Sequence, residues 1–220
     1  MQTERSAVGV TKTFTLGDAR LEGNLSLPQD AEAVVLFAHG SGSSRFSPRN
    51  NYVAKKLNEQ GLGTFLMDLL TSEEDEIDQK TRKLRFDIAL LAERLVGAID
   101  WLSENEQTRH LPIGLFGAST GAAAALIAAT QRPDTVYAVV SRGGRPDLAD
   151  QALPDVQSPT LLIVGGQDPQ VIELNEKARE VMQNTVKLYI VEGATHLFEE
   201  PGALDDVADQ AGQWFREHLS

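Results

Sequence analysis

Residues 113–129 read IGLFGASTGAAAALIAA, and this stretch decides the fold. The apolar run Ile113 to Phe116 has the length and composition of a buried strand. It ends in Gly117-Ala118-Ser119-Thr120-Gly121 and passes at once into an alanine-rich run that predicts a buried helix. G-x-S-x-G between a strand and a helix marks a turn so tight that only a very small residue fits two positions before and two after the serine. Ser119 then stands at the apex, with Oγ directed away from the sheet and the helix N-terminus beneath it. The N–H of Thr120 faces any oxyanion formed there. A corner in which Ser119 merely caps the helix fits the same five residues, so the decision falls to the rest of the chain.

Working outward, Ala33 to Ala38 (AVVLFA) is a continuous apolar run, as expected of a strand covered on both faces. It ends in the small-residue loop His39-Gly40-Ser41-Gly42-Ser43-Ser44. Pro48 opens a helix that stops at Gly61, and Gly63 to Leu69 predicts the next buried strand. Ahead of these, Val8 to Phe14 and Arg20 to Leu27 flank the turn Leu16-Gly17-Asp18 and predict an antiparallel hairpin. The acid-rich segment from Leu70 to Arg85 predicts a solvated loop with a short exposed helix, and Phe86 to Leu102 a long amphipathic helix. Beyond the elbow, strands are expected at Val136 to Ser141, Thr160 to Val164 and Val186 to Val191, with helices at Val171 to Met182 and Asp205 to Leu219. Strands alternating with such helices specify an α/β fold: a mostly parallel sheet of about eight strands with helices on both faces. The expectation is one domain over 1–220, with functional groups in loops at the carboxyl ends of strands.

Composition removes whole classes of function. Apolar residues at 41% and charged residues at 24% of 220 are ordinary for a globular protein. No apolar run reaches the roughly 18 residues of a membrane span, and MQTERSAVGV lacks the basic-then-apolar plan of a secretory leader. A cytoplasmic location follows as the expectation. With no cysteine, disulfides, thiolate metal sites and a cysteine nucleophile are all excluded. A net charge of −12 opposes partners such as nucleic acid or an anionic membrane.

An activated serine needs a base, and the base needs an acid to fix its tautomer. Of four histidines, His196 lies in a loop after the last expected strand, where the chain order Ser, acid, His puts the base. The acid is Asp168, just beyond the strand Thr160 to Val164, 49 residues after Ser119 and 28 before His196. Asp168 could instead cap the following helix, and Asp147, one strand earlier, is the reserve. The oxyanion donors are the N–H of Thr120 and, from the glycine loop after the third strand, that of Ser41 or a neighbour. His39 is then a structural hydrogen-bonding residue. Arg45, Arg142 and Arg145 stand in loops at the same edge and could hold a substrate carboxylate or phosphate, or pair with the chain's own acids.

With these residues in order, the chain resembles the α/β-hydrolase fold over nearly its full length, and more narrowly the small, lidless dienelactone hydrolase-like members. HGSGSSRFSPRN (39–50), GASTGAAAAL (117–126), SRGGRPDLAD (141–150) and GATHLFEEPGAL (193–204) look like segments of one intracellular subgroup, some of whose members are fused to phosphoribosyltransferase domains. Dienelactone hydrolases proper use a cysteine nucleophile, which this chain lacks, so their lactone substrate is not carried over. The expectation is a serine hydrolase, monomeric or homodimeric, acting on a small ester, lactone or thioester with no cofactor and no metal. A non-catalytic binding module, and an acyltransferase or perhydrolase using the same groups, are the alternatives.

Overall fold

The computed structural model describes residues 9–219. The Val8 end of the first expected strand and the stretch 1–8 of the N-terminus lie outside them. Eight strands form one sheet in the order β1-β2-β4-β3-β5-β6-β7-β8. The hairpin β1 (Val10–Leu16) and β2 (Ala19–Ser26) supplies the antiparallel edge, and β2 also pairs antiparallel with β4 (Gly63–Met67). From there β3 (Val34–Ala38), β5 (Ile113–Ala118), β6 (Val136–Arg142), β7 (Thr160–Gly165) and β8 (Val186–Val191) run parallel. Helices α1 (Pro48–Glu59), α2 (Ser72–Thr81), α3 (Ile88–Glu104), α4 (Thr120–Gln131), α5 (Pro169–Val181) and α6 (Ala203–Glu217) lie between and after them. None is long and apolar enough to cross a membrane.

Period-two alternation splits the central strands between two cores. Val34, Leu36 and Leu115 face α3 and α4, with Leu95, Ile99 and Ala123. Val35, Phe37 and Phe116 face α1 and α6, with Leu57, Val207 and Phe215. Phe37 and Phe116 stack with ring centroids 4.7 Å apart. Both strands are buried on both faces, which is why they read as unbroken apolar runs.

Two expectations need correction. Apolar periodicity assigns Phe86 to the buried face of a long helix, but it lies in a short 3₁₀ turn, 56% exposed, and α3 begins two residues later with Asp87 as its cap. The acid-rich segment does form an exposed helix, but Asp78 is buried within it. Its carboxylate accepts the Leu84 and Arg85 N–H groups at 2.8 and 3.1 Å and Arg85 Nε at 2.5 Å.

Register decides what meets at the carboxyl edge. Ala38 lies beside Gly117, and Ala118 beside Arg142, so the loops after β3, β5 and β6 start level with one another. Helix α4 passes so close over the end of β3 that a Cβ on Gly121 would lie 2.5 Å from the His39 carbonyl oxygen. Backbone cannot yield as a flexible side chain would, so Gly121→Ala should cost about 2–4 kcal/mol, the upper range of single substitutions. Thermal unfolding should register this as a fall in Tm of roughly 5–10 °C; an unchanged Tm would show that the contact between α4 and β3 is not tight.

Candidate active site

At the end of β5 the backbone of Ser119 adopts φ 52° and ψ −121°, a conformation that costs a non-glycine residue on the order of 1–3 kcal/mol. Its neighbours hold it there. The Ser119 N–H donates to Arg142 O at 3.2 Å, and Ser119 O accepts from Ala122 N at 3.1 Å and Arg145 N at 3.1 Å. Gly117 admits the first turn of α4, since a Cβ there would come within 2.7 Å of Ala122 N. Ser119 occupies the N-cap position of α4, yet its side chain makes no capping hydrogen bond. The capping alternative is therefore unused, and Oγ is available to the cavity. The Thr120 N–H, at the first position of the helix, has no intrahelical acceptor.

Asp168 is in the same situation. It stands at the N-cap of α5 but leaves the helix uncapped. Its Oδ2 instead lies 2.7 Å from Nδ1 of His196. The loop carrying His196 is drawn onto the end of β7 by Gly166 N to Val191 O and Gln167 N to Ala194 O, both 2.9 Å. A Cβ on Gly165 would lie 2.6 Å from Thr195 O, so this approach also depends on a missing side chain. The reserve acid, Asp147, is engaged elsewhere: it takes a two-pronged hydrogen bond from Arg145 at 2.8 and 2.7 Å.

The loop after β3 is fixed by His39. Leu69 N–H donates to His39 Nε2 at 3.1 Å, which places the ring proton on Nδ1, and Nδ1 donates to Gly40 O at 3.0 Å. The peptide joining Gly40 to Ser41 is thereby oriented. Burial lowers the pKa of His39, opposed by the Gly40 carbonyl and by Asp68 and Asp75, so the ring is held neutral, as these bonds require. The loop also packs on the elbow: a Cβ on Gly40 would sit 3.2 Å from Ser119 Cβ. On its far side Arg85, anchored by buried Asp78, covers Gly42.

A cavity of about 250 Å³ opens at this edge, lined by Ser119, His196, Ser41, Ser43, Arg49 and Arg142 among others. It lies below the roughly 300–1,000 Å³ of sites for drug-sized ligands. Its lining is mainly polar, and the His196 side chain that contributes to it is 40% exposed. Of the three arginines singled out in the sequence, Arg142 lines it. Arg45 is bound by Asp68 and Glu22, and Arg145 by Asp147. Sequence reasoning passes over Arg49, although the segment 39–50 contains it; its position in the first turn of the helix after the glycine loop is the available signal.

Comparison with known proteins places this architecture. The family model described as "Dienelactone hydrolase family" matches residues 21–218. A dienelactone hydrolase crystal structure from Anabaena variabilis is 60% identical, with a TM-score of 0.94, over 96% of this chain and 98% of that one. A Mycobacterium tuberculosis protein named "Putative phosphoribosyl transferase" is 53% identical over 203 residues, 92% of this chain but 45% of the relative, so the chain spans about half that protein's length. Est1E from Butyrivibrio proteoclasticus shares the fold at 15% identity, with a TM-score of 0.79 over 95% of this chain and 98% of its own. The chain belongs to the dienelactone hydrolase family and has the α/β-hydrolase fold.

Proposed function

We propose that the chain is a serine hydrolase that cleaves a small carboxylic ester, lactone or thioester through an acyl-enzyme on Ser119. The observation that carries this reading is the 2.7 Å hydrogen bond from His196 Nδ1 to an Asp168 carboxylate that does not cap its own helix. His196 and Ser119 line the same cavity. In the proposed cycle Ser119 Oγ attacks the carbonyl carbon as His196 Nε2 takes its proton. Asp168 fixes the Nδ1–H tautomer and stabilises the imidazolium. The N–H groups of Thr120 and Ser41 receive the developing oxyanion. Collapse expels the alcohol or thiol, protonated by His196, and water activated by the same ring releases the acid.

Ser119→Ala should lower kcat toward p-nitrophenyl butyrate by on the order of 10⁶-fold, with the circular-dichroism spectrum unchanged. It should also abolish labelling by a fluorophosphonate; labelling that persists in the Ser119→Ala variant would refute the assignment of the nucleophile. Asp168→Asn should preserve the fold and lower kcat by roughly 10⁴-fold, because the amide would favour the wrong tautomer.

His39 gives a pH signature in stability. Its folded pKa is below the unfolded value of about 6.5. Between the two values the unfolded chain binds a proton that the folded chain does not, so stability is lost as pH falls below about 6.5 and is fully present above it. In His39→Gln, whose amide oxygen can accept the Leu69 N–H, this part of the slope should vanish. Denaturant titrations from pH 5 to 8 would reveal it, and identical slopes for the two proteins would count against a neutral His39.

A further inference from the structure

The cavity beside Ser119 contains a cation that the chain leaves unneutralised. Arg142 is 8% exposed, its Nη1 is buried without a hydrogen-bond partner, and its guanidinium forms no ion pair among the described residues. Its described neighbours are the Phe198 ring, 5.9 Å from the guanidinium carbon, and a second cation, Arg49. Burial, and then the charge of Arg49, push Arg142 down to about 10, so it is still a cation at neutral pH. An unpaired buried charge is among the costliest groups a fold can carry. The chain has 32 acids, and none of those among the described residues lines this cavity.

Other donors face the same space. Arg49, in the first turn of α1, has its Nε buried without a partner and meets Glu199 only at the rim, at 3.1 Å, where that carboxylate is 64% exposed. The Ser47 hydroxyl accepts the Asn50 N–H, which leaves its own proton to donate. The amino end of twelve-residue α1 adds partial positive charge.

We propose that this cavity binds a phosphate group carried by the substrate, with Arg142 as its main ligand and Arg49 and Ser47 completing the cradle. The substrate class is then a small ester or thioester with a phosphate on its acyl or alcohol part; that extension rests on the hydrolase reading above, whereas phosphate binding itself does not. A planar carboxylate is satisfied by one guanidinium fork and would leave the other cation unpaired. A phosphate has three free oxygens and nearly two charges, enough for both arginines and a hydroxyl. The unpaired state of Arg142 is the cost of a site prepared for that dianion.

Inorganic phosphate is the probe. Titrated calorimetrically into Ser119→Ala protein at constant ionic strength, it should bind saturably and at least about tenfold more tightly than acetate. Arg142→Met in the same background should weaken it by about 10- to 100-fold, and Arg49→Gln, on a partly exposed helix turn, by about 3- to 10-fold. Should Arg142→Met not fold, Arg49→Gln still decides. In active protein, phosphate should raise KM for p-nitrophenyl butyrate with kcat unchanged. Absence of phosphate binding, acetate binding as tightly, binding unaffected by either substitution, or binding without competition would each overturn the proposal. Failure of Ser119 to label or turn over would defeat the hydrolase reading alone, since the calorimetry needs no turnover.

Discussion

The backbone of Ser119 is the constraint on which the site depends. A positive φ at a non-glycine residue survives only where the surroundings determine it more strongly than local sterics oppose it. Here three backbone hydrogen bonds fix the peptide groups on either side of it, and α4 is pressed against β3 through Gly121. The opposing energy comes from the core. Ala122 to Ala125 are fully buried, so the first turns of α4 are enclosed on all sides, and the missing side chains of Gly117 and Gly121 let the helix approach the sheet closely enough to hold the turn. Packing and chemistry are thus one feature at this point.

A second theme is that potential helix caps are left unused. Ser119 and Asp168 both occupy N-cap positions, where their side chains would ordinarily bind backbone N–H groups, and neither does so. Elsewhere the chain caps as expected: Ser47, Thr71 and Asp87 each accept a backbone N–H. The contrast separates side chains that stabilise helices from Ser119, which lines the cavity, and Asp168, which meets His196. The charges divide in the same way. Arg45, Arg85, Arg94, Arg132 and Arg145 are all matched to carboxylates, whereas Arg142 is matched to none among the described residues.

Much of this was legible in the sequence because it is written locally. Buried strands, the elbow and the order Ser119, Asp168, His196 follow from runs and motifs, and the eight-stranded sheet follows from their alternation. What the sequence left open depends on contacts between distant segments. Arg45 and Arg142 look alike as loop arginines, but Arg45 meets Asp68, 23 residues away, and Arg142 meets no acid among the described residues. Whether Asp168 capped a helix or faced His196 turned on how the β8 loop folds onto β7. Asp78 looked like one acid in a solvated run because its partner Arg85 lies beyond the helix end, where the chain doubles back. Phe86 continued the apolar period of α3 but fell before its cap, and periodicity does not locate a cap.

The nucleophile proposed for this chain gives these contacts different weights. A thiol is partly ionised near neutral pH and can attack with modest help, whereas a serine hydroxyl cannot and needs its proton removed as the bond forms. In the proposed mechanism Ser119 therefore depends on His196 at every turnover, and His196 on the tautomer that Asp168 imposes. A carboxylate used to cap α5 would stabilise the helix by about 1 kcal/mol. In the proposed mechanism the same carboxylate against His196 Nδ1 would lower a barrier by several times that amount, since 10⁴ in rate corresponds to about 5 kcal/mol. Under the proposed mechanism the uncapped start of α5 is therefore the smaller loss.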